Sequence, residues 1–252
     1  MISVVLIGAG KVAKHLFKAL NRSLEVSVKQ WYNRDISVIN PWKSKVEIID
    51  DLNKLQEADL YILCISDDAI AKISRKLPFK NRFVVHTSGT VNVHDLDKKN
   101  RRGVFYPLQT FSKESEINFE EIPLCIEAID KNDYQLLKKL AQHLGCKYYK
   151  ISTEQRQTLH LSAVFVNNFV NQLYRIGHEI CEEKYIEFEI LKPLIMETAS
   201  KLNDMSPYQA QTGPALRNDK KTITKHLKLL ENKEHKQIYQ LLTKSIKKTH
   251  GR

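Results

Sequence analysis

One short stretch constrains the fold more than any other: Ile2-Ser-Val-Val-Leu-Ile-Gly-Ala-Gly-Lys-Val-Ala13. An apolar run reaches Ile7 and breaks at Gly8-Ala9-Gly10. A helical spacing of apolar residues follows at Val12, Leu16, Ala19 and Leu20. This reads as strand, tight turn and helix, with Gly8, Gly10 and Ala13 in the order G-x-G-x-x-A. Gly8 permits the turn, Gly10 lets a pyrophosphate approach bare backbone, and Ala13 lets helix and strand pack closely. Free N–H groups at the helix start, helped by the helix dipole, would face the phosphates. Gly8, Ala9, Gly10, Lys11 and Val12 are therefore predicted cofactor contacts. The alternative is a glycine turn that serves the fold alone.

The segments that follow alternate strand and helix. Val26–Tyr32 alternates and reads as a second strand, ending in Asn33-Arg34-Asp35. An acidic residue at that point would accept from the 2′-OH of NAD, whereas an arginine suits a 2′-phosphate. Asn33 and Arg34 thus favour NADP, with Asp35 one residue late for the NAD role. Residues 46–49 form a short third strand. Residues 59–65 are nearly continuously apolar, as a strand covered on both faces should be. Ser66-Asp67-Asp68 follows, then a helix over 69–77. Ligands collect at the carboxyl ends of parallel strands, which places Ser66 and Asp67 beside the cofactor. Asp67 fits a helix N-cap equally well. A fifth strand over 82–86 ends in the polar turn Thr87-Ser88-Gly89-Thr90. Strands near 104–106 and 123–128 flank Pro107-Leu-Gln-Thr-Phe-Ser112, an amphipathic helix ends at Gly145, and 146–151 is the last strand.

Alternation stops near Ile151, so residues 1–151 are predicted to form a doubly wound, mostly parallel Rossmann domain. Residues 152–252 are predicted to form a helical one. A long helix from about Glu154 to Cys181 carries one apolar stripe through Leu159, Ala163, Val166, Val170 and Leu173 and another through Leu161, Phe165, Phe169 and Ile176. A helix apolar on two sides is expected to be buried on two sides. Between the stripes run His160, Asn167 and Asn171, within about 20° of one line on a 3.6-residue helix, with Asn168 at the margin. Buried polar groups must find partners or face a cavity. Further helices are expected over 186–202, 220–230 and 233–247. Arg217 and Asp219, in a connection, are either a substrate-contacting pair or partners of each other.

Composition narrows the function classes. Four scattered cysteines without a C-x-x-C pair suggest neither a disulfide framework nor a zinc site, and no metal spacing is present. A core-like strand beginning at Ile2 leaves no room for a signal peptide, and no apolar run spans a bilayer, so a reduced, cytoplasmic protein is expected. The net charge is +11, of which the tail from Arg217 to Arg252 contributes +8 (eleven cations, three anions). The tail reads as a lysine-rich solvated helix face, since its lysines are not interleaved with aromatics. A nucleic-acid patch is the rival reading.

These pieces resemble the Rossmann-like proteins that carry the domain of unknown function 2520 (DUF2520), expected to be NADP-dependent oxidoreductases. The N-terminal half is also similar to the group containing pyrroline-5-carboxylate reductase, the coenzyme F420-dependent NADP oxidoreductase and the β-hydroxyacid dehydrogenases. The resemblance rests on Gly8-Ala-Gly10, Asn33-Arg34, Ser66-Asp67-Asp68, His86-Thr-Ser-Gly89, Pro107-Leu-Gln-Thr-Phe111, His160-Leu-Ser-Ala-Val-Phe165, Asn168-Phe169 and Thr212-Gly-Pro-Ala-Leu-Arg217. It implies a C-terminal domain like that of 6-phosphogluconate dehydrogenase. The family often has His-Pro where this chain has Tyr106-Pro107. The catalytic lysine of the β-hydroxyacid dehydrogenases has no counterpart on the long helix, which offers His160 and no lysine before Lys184.

The expectation is an NADP(H)-dependent oxidoreductase that moves a hydride to or from a small carbonyl or imine held between the domains. His160 is the predicted proton donor, since an imidazole ordinarily titrates near neutral pH. Asn168 and Ser88 are further catalytic candidates. Thr87 is a cofactor contact, and Ser88, Gly89, Gln109, Asn171 and Arg217 are substrate contacts, Arg217 for an anionic group. The helical domain is expected to carry a homodimer contact, with neither membrane nor nucleic acid as a partner. The rivals are an NADP(H)-binding sensor without turnover and a nucleic-acid binder acting through the tail.

Overall fold

The computed structural model describes residues 1–112 and 117–251. The chain divides into two compact units, Met1–Val164 and Phe165–Arg252. The first unit therefore runs on past the composition change at Ile151 and keeps the first helix beyond it. Arg252 of the basic tail lies outside the described residues.

The first unit is built on an eight-stranded sheet: β1 (Ile2–Ile7), β2 (Val26–Tyr32), β3 (Glu47–Ile49), β4 (Leu60–Leu63), β5 (Phe83–His86), β6 (Arg101–Pro107), β7 (Leu124–Ala128) and β8 (Tyr148–Lys150). The spatial order is β3-β2-β1-β4-β5-β6-β7-β8. Every neighbouring pair is parallel except β6 and β7. Side chains of a strand alternate between faces. On β1, Ile2, Val4 and Leu6 join one core cluster, while Val5 and Ile7 join another on the opposite face. Both clusters are shut off from water, which is why the strands read as continuous apolar runs rather than as alternating ones.

Helices α1 (Lys11–Arg22), α2 (Asp67–Lys76), α3 (Lys131–His143) and α4 (Thr153–Ala163) complete the unit. α1 buries Ala13, Leu16, Phe17 and Leu20, an i, i+3, i+4, i+7 face, and Phe17 stacks obliquely on Trp31 of β2. α4 opens with a capping box between Ser152 and Gln155. The order β2-β1-β4 reverses the direction of winding at β1. The crevice above the carboxyl ends of β1 and β4 is therefore where a doubly wound sheet takes its ligand.

In the second unit, α5 (Val170–Glu182), α6 (Lys192–Ser200), α7 (Pro207–Ala210), α8 (Lys220–Leu229) and α9 (Lys233–Thr249) are joined by turns. Two expectations need correction. The helix expected over 186–202 starts later, at Lys192, with Pro193 in its first turn and a 3-10 turn over Phe188–Leu191 before it. The long helix expected from Glu154 to Cys181 is interrupted by a π-helical segment, Val164–Phe169. It is also not buried on two sides within this chain: Phe165, Val166 and Phe169 are exposed, while Ile176 is buried. Among the described residues, no helix is long and apolar enough to cross a membrane.

Candidate active site

An opening of about 1160 Å³ lies over the carboxyl ends of β1, β4 and β5. Its floor is the glycine turn. Gly8 has φ +108°, and a Cβ there would lie 2.3 Å from the carbonyl oxygen of Cys64. Gly8 is therefore dictated by the fold. Gly10 is not: its backbone is extended (φ −68°, ψ −179°), and a Cβ would meet only Cys64 O at 3.9 Å. Packing therefore does not require a glycine at position 10. α1, which starts behind it, has no side-chain N-cap and no acidic residue in its first turn. Its leading N–H groups, at Lys11 and Val12, are open to the cavity, a ready site for a phosphate.

The wall beyond β2 holds Asn33, Arg34 and Asp35. Asn33 donates from Nδ2 to Asp35 O at 2.7 Å and so shapes the loop. Asp35 caps the next turn, with Oδ1 accepting from Ser37 N–H at 3.1 Å and Ser37 Oγ at 2.6 Å. Its carboxylate is already engaged, whereas Arg34 makes no ion pair among the described residues. The wall beyond β4 holds Ser66 and Asp67. Ser66 occupies the cap position of α2, so Asp67 is the first helical residue and not its cap. The Asp67 carboxylate accepts from Thr90 Oγ1 instead.

At the far end, Thr87, Ser88, Gly89, Tyr106, Gln109 and His160 line the same cavity. Tyr106 Oη and His160 Nδ1 lie 3.0 Å apart. A Cβ on Gly89 would stand 2.5 Å from that nitrogen and 3.0 Å from Tyr106 Cζ, so only glycine lets the pair form there. Ser88 Oγ accepts from Thr90 N–H and Val91 N–H, both at 3.0 Å, and its proton points to Thr90 Oγ1 at 3.4 Å, which itself donates to Asp67. Burial pushes the Tyr106 hydroxyl up to about 12, with Cys125 adding to the rise and Arg156 opposing it. Tyr106 therefore stays protonated at neutral pH.

Arg156 was not among the residues singled out from sequence. It is 1% exposed, and its guanidinium donates to Ser88 O and Val91 O at 2.8 Å each and to Thr153 Oγ1 at 3.1 Å. Glu127 lies 3.4 Å away as its counter-ion. Gln157 adds a bond from Nε2 to Thr90 O. α4 thus grips the 88–91 turn and brings His160 to Tyr106. The nearby Arg156 charge, after burial itself, pushes His86 down to about 3, so His86 is neutral.

Asn168, Asn171 and Arg217 belong to the second unit, and the cavity just described is built from the first alone. The π-helical step over Val164–Phe169 removes the 3.6-residue arithmetic that aligned Asn167 and Asn171 with His160. Asp219 neither pairs with Arg217 nor stands free. It caps α8, accepting from Thr222 N–H at 3.0 Å and Thr222 Oγ1 at 2.7 Å, and those bonds hold its carboxyl below the usual range. No group of three or more metal-ligating side chains occurs among the described residues.

The family model for the domain of unknown function DUF2520 matches residues 122–246. The crystal structure of a candidate NADP oxidoreductase from Bacteroides fragilis is 37% identical, over 100% of this chain and 98% of that one, with a TM-score of 0.88. The chain belongs to the DUF2520 family. Two more distant structures share the fold. A Thermotoga maritima protein is 18% identical over 98% of each chain, with a TM-score of 0.76. The 1-pyrroline-5-carboxylate reductase of Streptococcus pyogenes is 15% identical over 100% and 99%, with a TM-score of 0.64. No curated protein matches. The DUF2520 match covers α4 with His160 but begins after the glycine turn, so the turn and Arg34 stand on their own geometry.

Proposed function

We propose that this DUF2520 protein is an NADP(H)-dependent oxidoreductase acting on a small carbonyl or imine. One observation carries the reading: a glycine that packing does not require opens onto an uncapped helix start, in the same cavity as a histidine–tyrosine pair. The related Bacteroides fragilis protein, described as a candidate NADP oxidoreductase, supports the cofactor class. When bound, NADP(H) supplies the hydride. The N–H groups behind Gly10 hold its pyrophosphate, and Arg34 its 2′-phosphate. With Nδ1 of His160 engaged by Tyr106 Oη, Nε2 is left to exchange a proton with the substrate oxygen or nitrogen. Tyr106 holds the ring in place, Arg156 holds the Ser88–Val91 turn, and the Gln109 amide orients the reacting group.

The second unit leaves Phe165, Val166, Phe169, Ile190, Leu194 and Met196 exposed, large apolar side chains in two helical segments. A second copy of the chain covers them in this proposal, and light scattering on the purified protein reads its mass.

The direct test is calorimetric titration with NADPH, followed by a screen of aldehydes, ketones and imines for loss of nicotinamide absorbance. Binding with turnover supports the enzyme. Binding with every class of substrate refused would favour a sensor. No binding of NADPH would end the reading.

A further inference from the structure

Four cations line the cavity: Lys11, Arg34, Lys72 and Lys76. The last two were not singled out by sequence. In the structure, Ala69, Lys72, Ile73 and Lys76 form one i, i+3, i+4, i+7 face of α2, and all four line the cavity. β2 and β4 flank β1 on opposite sides. The loop after β2, with Arg34, and the helix after β4, with Lys72 and Lys76, are thus the two walls of one mouth. Ile73 and Tyr32 pack on the same core cluster, which draws these walls together, and Val38 adds a third apolar surface to the opening.

The four cations of this mouth outnumber its two carboxylates, Asp35 and Asp67. None of Lys11, Arg34, Lys72 and Lys76 makes an ion pair among the described residues. The two carboxylates on the same walls are engaged: Asp35 with Ser37, and Asp67 with Thr90. The helix start near Gly10 provides for a pyrophosphate. Lys72 and Lys76 lie about one and a half and two and a half turns along α2 from its start at Asp67, and line the cavity that Arg34 lines from the β2 side. Such an arrangement, apolar between cationic walls, suits a flat base whose sugar carries a further phosphate.

We infer that Lys72 and Lys76 of α2 close the adenosine 2′-phosphate site opposite Arg34 and so determine the preference for NADPH over NADH. The inference rests on the dinucleotide reading given above. The 2′-phosphate is doubly charged near neutral pH and offers three oxygens, enough for Arg34 on one side and the two ammonium groups on the other.

The test uses the full chain and binding alone. Lys72→Ala, Lys76→Ala, the double variant and a double Lys→Gln variant are titrated calorimetrically with NADPH, NADH and 2′,5′-ADP, with unfolding midpoints checked in parallel. The double variants should lose about tenfold in affinity for NADPH and for 2′,5′-ADP, and keep NADH affinity within about twofold. Unchanged NADPH affinity in the double variants would overturn the inference. Parallel losses for NADPH and NADH would overturn it as well, because the lysines would then serve the shared part of the ligand or the fold. A wild-type protein that binds neither dinucleotide would remove the dinucleotide reading itself, and this inference with it.

Discussion

Replacing Gly10 by valine separates ligand binding from folding. The backbone at Gly10 is extended, a conformation valine adopts readily, and the nearest atom to a new Cβ is 3.9 Å away. The stability lost is that of a weaker cap position, about 0.5–1 kcal/mol. A pyrophosphate held by the first N–H groups of α1 must come within hydrogen-bond distance of the backbone, in the space the valine side chain would fill. Two charge-assisted bonds at roughly 1.5–3 kcal/mol each would be lost, together about 3–6 kcal/mol, or roughly 10²–10⁴ in the dissociation constant. Gly8→Ala is the counterpart. Its φ of +108° and the 2.3 Å approach to Cys64 O put the damage in the fold, on the order of 3 kcal/mol or more. Denaturant unfolding and NADPH titration on both variants give the answer. A folded Gly10→Val protein with wild-type NADPH affinity would refute the assignment of the cradle. A Gly8→Ala protein as stable as wild type would refute the account of the turn.

The remaining predictions address the reacting end. His160→Asn should keep NADPH affinity and slow turnover by roughly 10²–10⁴-fold, and full activity in that variant would remove the proton-donor assignment. Arg156→Met leaves the carbonyls of Ser88 and Val91 without their donor and Glu127 without its counter-ion, so unfolding free energy should drop by about 3–5 kcal/mol; a loss under about 1 kcal/mol would contradict the clamp. His86 takes up a proton only near pH 3 in the folded chain, against about 6.5 when unfolded. The unfolded state therefore binds more protons between those values, and His86 withdraws stability as the pH falls through that window. From pH 7 to pH 5, His86→Gln should lose about 1–2 kcal/mol less than wild type in denaturant titrations, and identical losses would show that His86 is not held neutral.

The glycine turn, Arg34 and the strand ends were legible in the sequence because each is local: spacing within a few residues fixes both the turn and the helix that follows. Tyr106 entered as a departure from the family's histidine and as the reserve proton donor, and its 3.0 Å approach to His160, 54 positions later, is a tertiary fact. Arg156 escaped for the same reason. Four residues before His160 it reads as an ordinary helix charge, and its burial depends on the carbonyls of Ser88 and Val91, 68 and 65 residues away. The asparagine line on the long helix rested on a different assumption, a uniform 3.6-residue turn. Apolar spacing does not encode a π-helical step, and once Val164–Phe169 take one, every angle projected from His160 changes. Lys72 and Lys76 look like solvated charges until the sheet order sets α2 across from Arg34.

The indole of Trp31 has a consequence of its own. It is fully buried, and its Nε1 donates at 2.7 Å to the carbonyl of Gly8. The Trp42 ring lies 5.1 Å away at 46°, with Lys14 Nζ 5.5 Å from its centroid. Two indoles at that distance couple as a chromophore pair, and one of them is tethered to the backbone of the glycine turn. Emission colour and near-ultraviolet circular dichroism of the unlabelled protein should therefore report the electric field at the turn, shifting when an anion settles there, before any chemistry takes place.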